Sequence, residues 1–212
     1  MIESWRLFLA ARPARAALVV GVLVAAVSLA GRSVFIEVRL VWAEPPRWTM
    51  LWEALPAVYG ALIGGFIAPR LHSWGRTGTA PMRRYYAITV TVALALPAVG
   101  PWLVHFTFPS EAPWLDIMVN VVMITAIGLL ATCLLGTIGG PIVAVSAYLA
   151  VVLIQQAAPG VAPWLPFSDA VGEPEPHIWQ SLTVAVLAIA AWTITLGRSP
   201  LARALERNDA AT

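Results

Sequence analysis

Apolar runs at 16–30, 51–68, 85–106, 114–135, 141–155 and 178–196 alternate with short polar or proline-bearing connections along this 212-residue chain. A helix needs about 20 predominantly apolar residues to cross a bilayer, so the pattern predicts six membrane-crossing helices. The first and fifth runs are short and must recruit flanking residues or cross other than perpendicularly. Pro97, Gly100 and Pro101 interrupt the third run near its end. They predict a kinked helix whose freed backbone groups need protein or water as partners. Ahead of the first run, Ile2, Trp5, Phe8 and Leu9 recur at helical spacing, with Glu3, Arg6, Arg12 and Arg15 elsewhere around the wheel. Residues 1–15 therefore read as a retained amphipathic helix lying at the membrane interface. The predicted fold class is all-α: a polytopic membrane bundle over 16–198, preceded by this interfacial helix and followed by a cytoplasmic tail over 199–212.

Composition agrees with the pattern. The chain is 59% hydrophobic and 11% charged with a mean hydropathy of +0.79, far from the roughly 25% charged residues of a soluble domain. A soluble monomer is excluded. All 13 basic residues are arginine. Without lysine the chain has neither a Walker A lysine for nucleotide phosphates nor an amine for Schiff-base chemistry. Any nucleotide energy it uses is released by another subunit. The single cysteine, Cys133, leaves no intrachain disulfide. With six crossings and both termini on one side, Arg6, Arg12, Arg15, Arg70, Arg76, Arg83, Arg84, Arg198, Arg203 and Arg207 share that side. Arg32, Arg39 and Arg47 face the other. The positive-inside rule then places both termini in the cytoplasm of a bacterial cell membrane. The arginines are accounted for by topology, so the net charge of +2 does not imply nucleic acid. Trp42, Trp48, Trp52, Trp102, Trp114, Trp164 and Trp179 fall at the outer ends of the runs and predict an outer aromatic belt.

Four features bear on function. The cytoplasmic connection from Arg70 to Arg84 carries Arg70, Leu71, Trp74, Arg76, Arg83 and Arg84. Its apolar atoms suit a partner's groove and its arginines suit steering, while the same arginines also serve topology and lipid phosphate. The outer segment 157–180 is proline-rich, and its stretch with Pro163, Trp164, Leu165 and Phe167 is suited to dipping back into the outer leaflet; a plain loop is the competing reading. Gly60 with Gly64, and Gly136 with Gly140, place small residues four apart, which permits close helix packing within the bundle or between subunits. Intramembrane polar groups are few: Asn120, Thr125, Ser146, Gln155 and Gln156, with Glu53, His105 and Asp116 near the outer boundary. No acid-lined proton relay, paired haem-ligating histidines or catalytic serine setting emerges, and Glu173, Glu175 and His177 without a fourth partner make a poor metal site. No catalytic residue, metal or bound cofactor is assigned.

An amphipathic cytoplasmic start, six crossings, a basic connection between the second and third, and an apolar proline-broken outer element before the sixth together resemble the membrane subunits of type-2 ATP-binding-cassette exporters. The small actinobacterial permeases that sit with a separate ATPase are the nearer likeness. It is carried by Pro69 to Arg84 following Gly60 to Gly65. The resemblance implies a non-enzymatic permease that pairs with an identical or sister subunit in the lipid bilayer. It further implies that 70–84 is the coupling element against an ATPase that holds ATP and Mg, and that the cargo is hydrophobic, peptide or drug-like. Gly75 and Gly78 depart from a well-formed coupling helix. A membrane scaffold or accessory subunit of a larger complex is the alternative.

Overall fold

The computed structural model describes residues 13–39, 47–68, 80–107, 114–158, 160–161, 165–167 and 177–197. In chain order these form α1 (Ala14–Ala30), β1 (Phe35–Val38), β2 (Arg47–Met50), α2 (Leu51–Ile67), α3 (Ala80–His105), α4 (Trp114–Ala157) and α5 (Ile178–Thr195). The protein is mostly helical. Three stretches, Met82–His105, Trp114–Ala157 and Ile178–Thr195, are long and apolar enough to cross a membrane, whereas α1 and α2 are shorter apolar helices of 17 residues.

The 44-residue α4 is two helices joined at Gly136, whose φ of 85° and ψ of −177° belong to a region open essentially to glycine alone. The chain doubles back there. A Cβ on Gly140 would lie only 2.5 Å from the backbone N and Cα of Thr132, eight residues earlier, where a continuous helix would separate them by about 12 Å. The arms 114–135 and 137–157 therefore form a helical hairpin.

α1 and α5 turn small residues inward and large apolar ones outward, the reverse of a helix in a soluble bundle. On α1 the buried positions are the small residues Ala17, Gly21 and Ser28, while Leu18, Val19, Val22, Leu23 and Val27 are exposed. On α5, Ser181, Ala185 and Ala188 face inward with Trp192, and Leu182, Val186, Leu187 and Ile194 face outward. Large apolar side chains on the outer surface and small ones at the contacts are the arrangement a hydrocarbon solvent selects, since lipid covers the former and close packing replaces the hydrophobic drive between helices.

The closest approach joins α2 to the first arm of α4. Glu53 lies beside Asn120, Gly60 against Thr125, Ala61 against Gly128 and Gly64 against Thr132. The near-constant separation in sequence shows the two helices running parallel, with α3 as the return crossing. The interior has two tiers. One gathers Tyr59, Ile63, Tyr86, Leu129, Cys133 and Trp192; the other, nearer the strands, gathers Trp52, Ala57, Val104, Ile117, Val121 and Phe167. Polar atoms within them are tied across helices, with the Tyr59 hydroxyl donating to the Ala17 carbonyl and the Trp192 indole N–H donating to the Leu129 carbonyl at 2.8 Å.

Two expectations are corrected, and a third feature, the course of α3, is filled in. The chain is not purely helical: β1 and β2 pair antiparallel with Phe35 opposite Met50 and Val38 opposite Arg47, and the Leu51 N–H donates to the Val34 carbonyl to close the hairpin onto α2. Branched and aromatic side chains over 34–38 suit a pleated strand. α3 runs on through Pro97 and Pro101 to His105, so the prolines do not end the helix. Both prolines and Gly100 are buried, with Gly100 set against Pro56 and Ala25, so packing on α1 and α2 outweighs the backbone hydrogen bonds the prolines remove. Trp52 is fully buried in the core and takes no part in a surface belt, whereas Trp102 and Trp179 are exposed as a belt requires.

Candidate functional site

Polar side chains among the described helices collect at the hairpin end of the bundle. Glu53, in the first turn of α2, and Asn120, in the second turn of α4, are each 4% exposed, and the Asn120 amide donates to a Glu53 carboxylate oxygen at 3.4 Å. The neighbouring Val119 carbonyl accepts from the Ser181 hydroxyl at 3.3 Å, bringing α5 to the same level. At the end of α3 the His105 ring lies over Trp114 at 4.3 Å. A carboxylate so enclosed needs its hydrogen bonds, because desolvation without compensation is costly.

Two adjacent glutamines at the end of α4 fasten two different outer elements. The Gln155 amide donates to the Phe167 carbonyl, and the Gln156 amide donates to the Val38 carbonyl of β1 at 3.2 Å. Phe167 is 1% exposed, meets Tyr148 edge-to-face at 5.2 Å, and has a φ of 75°. A phenylalanine in left-handed backbone is held there against its own preference, by the burial of its ring and by the Gln155 bond. The chain thus leaves α4, drives one aromatic wedge into the core, and continues towards α5.

Beside this wedge is a cavity of about 110 Å³. The inward face of the hairpin, Ile36, Val38 and Thr49, closes one side; Ala57 and Val58 of α2 and Tyr148 of α4 line others. Thr49 is opposite Ile36 in the strand register and so shares its face.

Gly60 and Gly64 lie inside the bundle, against Thr125 and Thr132 of α4, and Gly136 and Gly140 form the α4 reversal. Arg83 and Arg84 are exposed on the first turns of α3, while Met82, Tyr85 and Tyr86 beside them pack on the core. Arg70, Leu71, Trp74 and Arg76 lie outside the described residues, as do Pro163 and Trp164 of the outer element and the segments 1–12 and 198–212. Leu165 is partly buried and Phe167 is the wedge. Among the described residues no group of three His, Cys, Asp or Glu side chains comes together as a metal ligand set, and the buried Cys133 thiol meets the Thr195 hydroxyl at 3.0 Å.

Sequence reasoning did not join Glu53 to Asn120, nor assign the adjacent glutamines their separate tethers. The available signal was polarity inside apolar runs. The chain matches no protein family, no curated protein and no solved structure.

Proposed function

We propose that this chain is a six-crossing subunit of the bacterial cell membrane, with both termini in the cytoplasm, that acts as a permease for a hydrophobic, peptide or drug-like cargo and is driven by a separate ATPase. The six crossings are α1, α2, α3, the two arms of α4, and α5. The shorter helices of 17 residues rise about 26 Å at 1.5 Å per residue. That is just under a hydrocarbon core of about 30 Å, within what tilt and bilayer thinning accommodate.

The observation that carries the coupling is α3. Its 26 residues start from the arginine-rich connection with Arg83 and Arg84 exposed, are anchored at once by Met82, Tyr85 and Tyr86, and end at His105 against Trp114. A force applied to the arginines is thereby delivered through a packed helix to the opposite end, where Glu53 and Asn120 lie. Without lysine the chain has no Walker A site of its own, so in this reading hydrolysis falls to the partner.

Replacing Arg83 and Arg84 by Glu reverses the charge of this contact. The expected result is loss of a co-purifying ATPase, together with a fall of about tenfold or more in transport-coupled ATP hydrolysis, since charge reversal at a steering contact costs at least about one decade. Unchanged co-purification and unchanged hydrolysis would sink the coupling role. The scaffold reading has one observation of its own. Gly60, Gly64 and Gly128 bring α2 and α4 to backbone contact, a rigid join suited to holding a complex together. A stoichiometric partner set with no ATPase would select it.

A further inference from the structure

The cavity beneath the hairpin has one class of occupant that fits it. Apart from the Thr49 and Tyr148 hydroxyls, the side chains lining it are apolar. A buried water needs roughly two to four polar partners, whereas apolar cavities of about this size stay dry and accept hydrocarbon. Its rim determines what can reach it. Val58 of α2 and Leu149 of the second α4 arm both line it and are 51% and 43% exposed, on the outward faces that meet bilayer hydrocarbon in the membrane-embedded reading. Its roof is amphipathic. Ile36 and Val38 point into it, while Glu37 between them is exposed and paired with Arg39 at 3.3 Å. The roof therefore lies where hydrocarbon gives way to polar headgroups. The Gln156 tether on the Val38 carbonyl holds it over the cavity.

We propose that this crevice takes a few methylenes of one acyl chain of a membrane phospholipid from the leaflet at the hairpin end, reached past the exposed Val58 and Leu149. The seated methylenes contact Ala57, Ile124 and Val152 and lie against Tyr148, whose ring also meets the Phe167 wedge. The headgroup stays level with the hairpin. This inference rests on the membrane-embedded reading and is independent of transport.

The test uses the full chain in nanodiscs of phosphatidylcholine carrying a diazirine on one acyl chain, with adducts mapped by peptide mass spectrometry after photolysis. Ala57, Ile124 and Val152 are 5%, 3% and 1% exposed, while Val22 on α1 and Val186 on α5 are 66% and 61% exposed. A seated chain labels the buried residues at least as strongly as the exposed ones. Val58→Trp blocks the mouth and lowers labelling of the buried set about tenfold, the loss expected when roughly two methylenes are excluded from a burial site. Val186→Trp on the far face leaves it unchanged. Leu149→Trp blocks the same mouth from the other helix if the Val58 variant does not reconstitute. Labelling that simply follows exposure, or that survives both mouth variants, overturns the proposal. No labelling even of Val22 and Val186 would overturn it together with the membrane-embedded reading on which it stands.

Discussion

Single residues decide how closely this bundle closes. A Cβ on Gly128 would sit 2.9 Å from the Ala61 carbonyl oxygen and 3.0 Å from its Cα, and backbone cannot step aside as a side chain can. Gly128→Val should cost about 1–3 kcal/mol of stability, the usual range for overpacking. Gly136 is the opposite case: open space surrounds it, but its φ of 85° is strained for any side chain. Gly136→Ala should cost a similar roughly 1–3 kcal/mol through backbone strain alone. Thermal unfolding in detergent measures both. A graded series distinguishes them, since loss at 128 grows with side-chain size while loss at 136 is already complete with alanine. Equal tolerance of Ala and Val at Gly128 would contradict the close α2 to α4 contact. The Gly60 and Gly64 pair was legible in the sequence as a packing motif. Its partners Thr125, Gly128 and Thr132 were not, because small residues are too common in apolar runs for one spacing to name its mate.

At the scale of elements, the hairpin and the Phe167 segment are appendages fastened to one helix end by neighbouring side chains. Gln156→Ala removes the donor to Val38, a loss of about 0.5–1.5 kcal/mol typical of one hydrogen bond. It should speed amide exchange over 35–38 while leaving exchange in the first arm of α4 unchanged. Hydrogen exchange read by mass spectrometry checks this, and equal protection in the variant would mean that the Val38 tether does not hold the roof. The strands escaped sequence reading because they lie between two apolar runs, where a short alternating stretch looks like a connection. The long α3 was legible as the run over 85–106; what the sequence did not give is that Pro97 and Pro101 are buried, with Gly100 between them set against α1 and α2.

For the whole molecule, the proposed topology, with an even number of crossings and both termini inside, has a direct check. A reporter that is active only outside the cytoplasm should be silent when fused to either terminus and active when inserted in the 40–46 connection between β1 and β2. Activity at either terminus would refute an even number of crossings with inward ends. The proposed orientation sets Arg83 and Arg84 on the cytoplasmic side and the hairpin with Glu37 and Arg39 on the opposite one.

The sequence by itself determined that this protein is mostly helical and carries helices long and apolar enough to cross a membrane. A chain 59% hydrophobic and 11% charged, with apolar runs near the thickness of a bilayer, must satisfy its backbone within helices, and that follows from local composition. The reversal between the runs at 114–135 and 141–155 was also legible, from the glycines that separate them. Only the tertiary structure decided which small residues meet, that Trp52 faces the core, and that Glu53 and Asn120 come together 67 positions apart. In hydrocarbon almost any apolar face is acceptable outward. Hydrophobic pattern therefore cannot say which face turns in; that is settled by close packing and by the few hydrogen bonds between helices, which exist only once distant segments are side by side.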